Sequence, residues 1–372
     1  MAEMDMGLAP KGPGKKRKKK KKESFFHSIA RGLIPSKGDS TSEIIRKIVF
    51  LAALAILVAA IIYLAQYLLQ YKHLEDQTGG GNTATDAHLV ELKNQQPTTQ
   101  QIDQLPTGTV NEKYAALYAE NNDFIGWINI PGTNIDYPVM QTDDNDYYLH
   151  RNFDREDEFS GTLFVDYRAK ITADSMPHNA TIYGHNMLYK YQFSALNNYK
   201  SDIEFLKHSP VISFDTLYHN NKYKIISVFV ANWQSEHGEV FDYNGTTHFN
   251  NQSEFFNFVL ECEDRSLYET GVDVEYGDEF LTLSTCDKST AMDLRLVIVA
   301  RKVRQNESPE VDTEKIKYKD SVKYFDAYYD IYGQLWKGRT WDTSVVKGLD
   351  DYIKKNGLED DPSEYEPQDY YY

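Results

Sequence analysis

Two runs of alternating apolar and polar residues stand out in the C-terminal half of the chain. Residues 280–286 read Phe-Leu-Thr-Leu-Ser-Thr-Cys, and residues 294–301 read Leu-Arg-Leu-Val-Ile-Val-Ala-Arg. Alternation with a period of two predicts β-strands, and the short polar connection between the runs predicts that the two strands are neighbours. Such a pair would place Cys286 at the end of one strand and Arg295 at the start of the next.

Further short runs of β type precede this pair, and two helical patterns interrupt them. The β-type runs occupy residues 127–130, 135–140, 162–165, 180–183 and 222–233, and the helical patterns occupy residues 194–206 and 252–260. Short strands with few parallel crossovers predict a mainly β fold, a largely antiparallel closed barrel with inserted helices. Helical spacing at residues 111–122 leads into this body, which we expect to span residues 111–304.

An apolar segment near the N-terminus predicts a membrane anchor. Residues 48–65 contain no charged or amide side chain, and Arg46 and Lys47 precede them directly. A run of this length can cross the hydrocarbon core, and the positive-inside tendency places the N-terminus in the cytoplasm and the body outside the cell. A cleaved signal peptide is the alternative, but the run is long for one and lies deep in the chain. We therefore expect a single-pass signal anchor over residues 48–69.

Charge divides the chain on the two sides of this segment. Residues 1–47 carry 13 Lys and Arg against 5 Asp and Glu, a net charge of +8, so the remainder carries 27 against 51, a net charge of −24. The polybasic segment 1–47 is expected in the cytoplasm, where the anionic inner leaflet attracts it. The acidic body argues against nucleic acid as a partner. The Gly, Thr, Gln and Asn residues of 70–110 predict an extracellular linker.

The C-terminal extension, residues 305–372, has a different character from the predicted barrel. It is polar, acidic and rich in tyrosine. Tyr324, Tyr328, Ile331 and Leu335 recur at helical spacing. This spacing predicts one helix that packs on the barrel through that face.

The chain contains two cysteines, Cys262 and Cys286. Two cysteines provide neither a disulfide framework nor the spacing of a metal site. A single disulfide between them is an open alternative, and it would abolish a nucleophile. The acidic residues 143–146 lack the glycine and the distal glutamate of a calcium-binding EF-hand loop. We expect no metal and no cofactor.

A cysteine nucleophile needs a proton-transfer partner. His185 follows a predicted strand and a glycine, Gly184, so a tight turn can hold its ring near the end of a neighbouring strand. His178, in a polar loop, is a weaker candidate. Taken alone, a histidine in such a turn is more often a surface residue than a catalytic one, and a thiol at a strand edge is as often structural as nucleophilic.

Acyl transfer also needs donors for the oxyanion, and arginine presents several donors in a planar, permanently charged group. Arg295 and Arg301 point to the same face of one predicted strand. Six residues span about 20 Å of strand, so only Arg295 can lie beside Cys286, where its charge favours the thiolate. For Arg301 we expect a salt bridge on the barrel surface.

Together these motifs resemble the sortase family, and class B in particular. The resemblance covers about residues 111–304 and rests most on Thr-Leu-Ser-Thr-Cys (282–286) with the downstream Arg295, and on Tyr-Gly-His-Asn-Met (183–187). Supporting matches are residues 122–128, 133–139 and 161–166 and the helix-bearing insertion at 244–277. The polybasic head, the anchor and the extracellular body suit a family that works on the outer face of Gram-positive membranes. The extension has no counterpart in the family pattern.

The resemblance implies an eight-stranded barrel that is a cysteine transpeptidase. Cys286 would attack the carbonyl of a Thr–Gly-type bond in a C-terminal sorting signal and form a thioacyl intermediate. His185 would act as general acid and then as general base, and Arg295 would position the substrate and stabilise the oxyanion. Ser284, Thr285 and Asp287 flank the nucleophile and are candidates for substrate binding.

The implied partners are surface proteins or pilins that carry a sorting signal, with an amine of a peptidoglycan precursor or a pilin lysine as acceptor. Two alternatives stay open at the level of sequence. One is an extracellular cysteine hydrolase that releases the acyl group to water, and the other is a non-catalytic barrel that binds surface proteins.

Overall fold

The computed structural model describes residues 32–78, 84–187, 191–287, 293–333 and 335–359. The chain divides into two compact units, Met1–Leu74 and Glu75–Tyr372. Most of the predicted polybasic segment and the end of the C-terminal extension lie outside the described residues.

The first unit is built on helix α1, Thr41–Thr78. Ser40 and Glu43 form the reciprocal hydrogen bonds of a capping box, which satisfies backbone donors at the start of the helix. Within the described residues, one helix is long and apolar enough to cross a membrane, at Thr41–Leu69. Its apolar side chains are exposed, as a lipid-facing helix requires. The predicted anchor, residues 48–69, lies inside this stretch.

The second unit is organised around a closed barrel with the strand order β1-β2-β3-β4-β9-β10-β6-β5. The barrel strands are β1 Phe124–Asn129, β2 Asp136–Met140, β3 Leu163–Val165, β4 Asn179–Tyr183, β5 Val211–Thr216, β6 Asn220–Asn232, β9 Phe280–Asp287 and β10 Leu294–Lys302. Short additional strands are β7 Tyr268–Glu269, β8 Val274–Glu275, β11 Lys317–Tyr318 and β12 Val346–Lys347.

Pairing within the barrel is mixed. β2–β3 and β4–β9 are parallel, and the other neighbouring strands are antiparallel. The expected eight-stranded and largely antiparallel barrel is therefore confirmed. The two parallel junctions have a consequence for function, because parallel neighbours end at the same edge of a sheet.

Short helices connect the strands. They are α2 Ala84–Asn94, α3 Thr99–Ile102, α4 Ala115–Glu120, α5 Asn197–Ser201, α6 Ile203–His208, α7 Gln252–Arg265, α8 Asp326–Tyr332 and α9 Leu349–Asn356. Asn251 caps α7 by accepting a hydrogen bond from the Glu254 backbone N–H. The helical pattern at residues 252–260 is thus an inserted helix, as expected.

Apolar residues cover both faces of β9 and β10. Leu281 and Leu283 point into the barrel, where they pack with Leu296 and Ile298. The outward residues Phe280, Val297 and Val299 pack beneath α7. Burial on both faces makes these strands the rigid base on which the end of β9 is held.

Residues 84–110 belong to the second unit, although the sequence predicts a linker over residues 70–110. Leu89 and Leu92 of α2 are buried against Tyr114 and Leu117. Lys93 binds the carboxylate of Asp136 on β2 at 3.1 Å. The folded unit thus begins before residue 111, because the polar composition of this stretch hides two apolar anchors.

The C-terminal extension packs on the barrel unit mainly through residues other than the predicted helical face. Helix α8 is only seven residues long, and Ile331 and Leu335 are exposed. The buried residues include Phe325, just before α8, and Trp341, Leu349 and Ile353 further along. Of the predicted face, Tyr328 packs against the cluster of Phe325, but Leu335 does not, because the chain bends at Gly333, whose φ of +63° ends the helix.

Candidate active site

Backbone register brings Cys286 and Arg295 side by side. β9 and β10 are antiparallel, and Arg295 lies directly opposite Cys286. Side chains of directly opposite residues share a face, with Cβ atoms about 5 Å apart. The thiol and the guanidinium therefore meet at one edge of the barrel, as the spacing of the two runs predicts.

His185 reaches the same edge from β4, the parallel neighbour of β9. Tyr183 pairs with Ser284, the Gly184 N–H donates to the Ser284 carbonyl at 3.2 Å, and the Thr285 hydroxyl donates to the Gly184 carbonyl at 2.7 Å. One step further along both strands places His185 beside Cys286. The 101 residues between them in sequence reduce to one strand spacing, about 4.8 Å.

Gly184 is required by close packing and not by the backbone conformation of the turn. Its φ lies outside the left-handed region, so the turn does not demand glycine. A Cβ atom at this position would collide with the side chains of Leu163 and Phe193. Glycine thus allows the His185 segment to pack closely against the neighbouring strand and helix.

Contacts of both its ring and its backbone hold the His185 segment. Nε2 of His185 lies 2.8 Å from the Leu149 carbonyl oxygen, which only accepts, so Nε2 carries a proton. The ring stacks on His150 with centroids 6.1 Å apart, and the backbone N–H donates to Gln192 Oε1 at 2.8 Å. The ring orientation is therefore set before any substrate binds.

Asn186 ties this segment directly to the nucleophile strand. Its Nδ2 donates to the Cys286 carbonyl at 2.7 Å, and Asn197 of α5 donates to Asn186 Oδ1 at 2.9 Å. Sequence reasoning included Asn186 in a motif without giving it a role. Its side chain couples the backbone of Cys286 to that of His185.

Arg295 is held by two neighbours. Its Nη1 donates to Asp293, and its guanidinium lies over the Trp233 ring, 5.1 Å from the centroid. Burial disfavours the charge, but the Asp293 carboxylate and the Cys286 sulfur outweigh it and raise the pKa of Arg295 above its usual value. Among the described residues, hydrogen-bond partners exist for Nη1 alone, so the remaining donors are available to a substrate.

Ser284 faces the same side as Cys286, two residues earlier on β9. Its hydroxyl shares a hydrogen bond of 2.8 Å with the Tyr243 hydroxyl. Burial raises the pKa of Tyr243 to about 12, so this phenol stays protonated. Sequence reasoning missed Tyr243, because it lies in an irregular stretch with no periodic pattern.

Thr285 and Asp287 point to the other face of β9. The Thr285 hydroxyl is engaged with the Gly184 carbonyl, although the residue still borders the groove. The Asp287 carboxylate is buried and binds Nζ of Lys200 at 2.7 and 2.8 Å. The structure does not bring Asp287 into the groove, because alternation along the strand turns it toward α5.

The weaker candidates lie elsewhere. Nδ1 of His178 accepts the Phe249 backbone N–H at 2.8 Å, on a different loop. The prediction of a surface salt bridge for Arg301 is wrong, since its side chain is fully buried in an ion-pair cluster six residues from Arg295.

The alternative disulfide is also wrong. Both cysteines are free thiols: Cys262, on α7, is buried in the aromatic-rich cluster that this helix covers, and Cys286 is partly exposed. Burial raises the pKa of Cys262 well above its usual value, which makes it inert as a nucleophile.

A groove of about 560 Å³ runs over Cys286, His185 and Arg295. Ser284 and Thr285 form part of its floor. Its walls combine apolar and polar side chains, namely Leu149, Phe164, Trp233, Val240, Phe241, Tyr183, Asn145, Asn244 and Arg168. An open groove with apolar walls and a few convergent polar groups suits an extended peptide.

The family model of the sortase domain matches residues 128–303. The sortase B of Listeria monocytogenes is 34% identical over 180 residues, which cover 48% of this chain and 69% of the relative. The sortase B of Staphylococcus aureus is 26% identical over 254 residues, 68% of this chain and 96% of the relative. A solved Staphylococcus aureus sortase B–substrate complex is 28% identical, with a TM-score of 0.48, and covers 56% of this chain and 93% of that one.

Proposed function

This chain belongs to the sortase family, and from that premise we propose that it is a membrane-anchored cysteine transpeptidase. The observation that carries the proposal is the convergence of three strand ends. Cys286 and Arg295 lie opposite each other on antiparallel strands, and His185 follows the parallel strand beside them. The groove above them combines apolar walls with a few polar groups, which suits a peptide.

In the first step, the Cys286 thiolate adds to the carbonyl carbon of a Thr–Gly-type bond in a C-terminal sorting signal. Negative charge develops on the carbonyl oxygen, and the available donors of Arg295 stabilise it. The C–N bond then breaks, and protonated His185 gives its proton to the leaving amine. The product is a thioester between Cys286 and the substrate.

In the second step, an acceptor amine replaces the departed peptide. Neutral His185 takes a proton from the amine as it adds to the thioester carbonyl. The C–S bond breaks and the Cys286 thiolate is restored. The proposed acceptor is a peptidoglycan precursor amine or a pilin lysine, and the donor is a surface protein or a pilin.

The site residues divide the work according to their surroundings. Ser284 offers a hydroxyl, ordered by Tyr243, to the substrate on the cysteine face. Thr285 shapes the floor through its backbone, because its hydroxyl is already engaged. Asp287 supports the end of the nucleophile strand through Lys200, so we assign it a structural role in place of substrate binding.

The apolar stretch of α1 supports a single-pass anchor. We propose that the basic segment 1–47 is cytoplasmic and that the barrel unit works outside the cell. Fusions of a reporter enzyme active only outside the cytoplasm, joined after residue 47 and after residue 110, test this orientation. Only the fusion after residue 110 should be active. Activity of the fusion after residue 47 would overturn the proposed orientation.

Intact-protein mass spectrometry tests the activity. The full-length chain in detergent is incubated with a library of C-terminal sorting-signal peptides, with and without hydroxylamine as amine nucleophile. We expect a thioacyl adduct on Cys286 and diversion of the product to the hydroxamate. Hydrolysis alone would identify a cysteine hydrolase, and peptide binding without an adduct would identify a non-catalytic barrel.

A further inference from the structure

The C-terminal extension contacts the strand that carries Arg295. Phe325, only 5% exposed, packs with Val230 of β6 and Leu294 of β10 in a separate apolar cluster. Leu294 immediately precedes Arg295, and it lies opposite Asp287 in the β9–β10 register. Phe325 thus packs on the residue next to Arg295, at the start of β10.

Helix α8, which follows Phe325, also meets one wall of the groove. A Cβ atom on Gly238 would lie 2.8 Å from the Asp326 backbone nitrogen, so the two chain segments are in direct contact. Gly238 has a φ of +115°, a conformation that favours glycine. Asn232 Nδ2 donates to the Gly238 carbonyl at 3.1 Å, which ties this contact back to β6.

The groove wall that starts after β6 includes Trp233 and Phe241. Trp233 lies under the Arg295 guanidinium, and the Arg265 guanidinium lies over the Phe241 ring, 5.0 Å from its centroid. The α8 contact at Gly238 therefore lies on the segment that joins Trp233 to Phe241, and the end of α7 contacts the Phe241 ring.

The extension also holds the C-terminal end of α7 through a set of charged contacts. Lys323 binds Glu261 at 3.1 Å, and Lys319 binds Glu263 at 3.0 Å. Arg339 binds both carboxylate oxygens of Asp264 at 2.9 Å. Trp341 Nε1 donates to the same Asp264 at 2.7 Å. Cations at a helix C-terminus are favourable, so these contacts fix the helix end next to Arg265.

We propose that the described residues between 319 and 341 form a brace that positions Arg295 and the Trp233–Phe241 wall of the groove, with Phe325 as the positioning residue. The proposal rests on the transpeptidase function above and deepens it. Phe325 touches no reacting atom and acts through Leu294 and the backbone of Arg295. The brace would let the barrel edge stay open to a peptide while the oxyanion donors stay in place.

Phe325→Ala, with Ile353→Ala as matched control, tests the proposal. Both residues belong to the extension and are buried to a similar degree, but Ile353 lies outside the brace and packs in the apolar cluster of α7, whereas Phe325 packs in the cluster of Leu294. Transfer to hydroxylamine is measured with the full-length chain in detergent, well below both melting temperatures. We expect Phe325→Ala to lower kcat about 10- to 100-fold with KM nearly unchanged, because misplaced catalytic groups cost rate. The control should keep its kcat.

Two further variants separate positioning from simple destabilisation. Phe325→Leu keeps the apolar contact and should recover most of kcat. In the Arg295→Lys background, Phe325→Ala should lower kcat little further, because the positioned guanidinium is already lost. Additive effects of the two substitutions, or equal losses in Phe325→Ala and Ile353→Ala, would overturn the brace.

Hydrogen exchange measured by mass spectrometry gives a readout that does not depend on the proposed chemistry. Peptides covering residues 230–242 and 293–297 should exchange faster in Phe325→Ala than in the wild type and in Ile353→Ala. Unchanged exchange there would contradict the brace even if the enzyme is active. Faster exchange in Phe325→Ala, together with a wild type that forms no thioacyl adduct, would instead leave the brace standing and remove the transpeptidase function.

Discussion

The two ends of β10 carry the same residue type in opposite circumstances. Arg295 and Arg301 lie on one strand and one face. Arg301 is fully buried, and its guanidinium binds both carboxylate oxygens of Glu307, at 2.6 and 2.7 Å. Arg295 contacts the single carboxylate of Asp293 and the Trp233 ring, beside a thiol.

The difference shows how carboxylate partners on both terminal nitrogens of a buried guanidinium distinguish a structural arginine from the candidate catalytic one. The Arg301 end is a closed cluster in which Lys224 and Arg304 also bind Glu307 or its neighbours Asp273 and Asp278. At the Arg295 end, donors stay available over a groove. The first end should therefore govern stability, and the second should govern activity.

The largest expected effect is at the nucleophile beside Arg295. Cys286→Ala should abolish cleavage of a sorting-signal peptide, because no other group at the groove can form the thioester. Cys262→Ala is the matched control, and most activity should remain, since Cys262 is buried on the core face of α7. Peptide cleavage followed by liquid chromatography measures both. Wild-type activity in Cys286→Ala would show that Cys286 is not the nucleophile.

Substitution at the Arg301 end of β10 should lower the stability of the fold. Arg301→Ala leaves Glu307 with fewer partners in a partly buried cluster, and we expect a loss of about 3 kcal/mol in the free energy of unfolding. Denaturant unfolding followed by circular dichroism measures it. The kcat of the remaining folded protein should stay near the wild-type value. A selective loss of kcat with unchanged stability would mean that the two ends are not divided as described.

Substitution at the Arg295 end of β10 should lower the rate of the reaction. Arg295→Lys keeps the charge but loses the planar fork of donors, so kcat should fall about 10²- to 10³-fold. The free energy of unfolding should change by less than about 1 kcal/mol, because one peripheral ion pair is altered. Parallel kinetics and unfolding experiments check both values. An Arg295→Lys variant as active as the wild type would contradict the oxyanion role.

The smallest expected effect is on the pH dependence of the free energy of unfolding. The Arg301 guanidinium, together with Lys224, holds the pKa of Glu307 well below its usual value of 4.5. A folded-state pKa below the unfolded value adds stability that is present above pH 4.5 and is lost as pH falls toward the folded pKa. The gap in unfolding free energy between the wild type and Glu307→Gln should therefore shrink below pH 4.5. A constant gap would show that this ion pair is not coupled to folding.

Sequence reasoning reached the central strands because their signal is strong and local. The predicted runs at residues 280–286 and 294–301 match β9 and β10 to within one residue. Prediction was weaker where local composition and tertiary environment disagree. The polar stretch before residue 111 contains a helix docked by Leu89 and Leu92, and in the face predicted for residues 324–335 Tyr328 packs on the barrel while Ile331 and Leu335 are exposed.

The sequence by itself determined the apolar N-terminal helix, the mainly β body and the pairing of Cys286 with Arg295. Each of these follows from hydrophobic periodicity or from a short connection between neighbouring strands. Only the tertiary structure decided that Arg301 is buried, that Asp287 faces away from the groove and that Phe325 lies behind Arg295. Those outcomes depend on partners far apart in sequence, such as Glu307 for Arg301 and Lys200 for Asp287. Closure of the barrel sets these partners, and no local pattern encodes it.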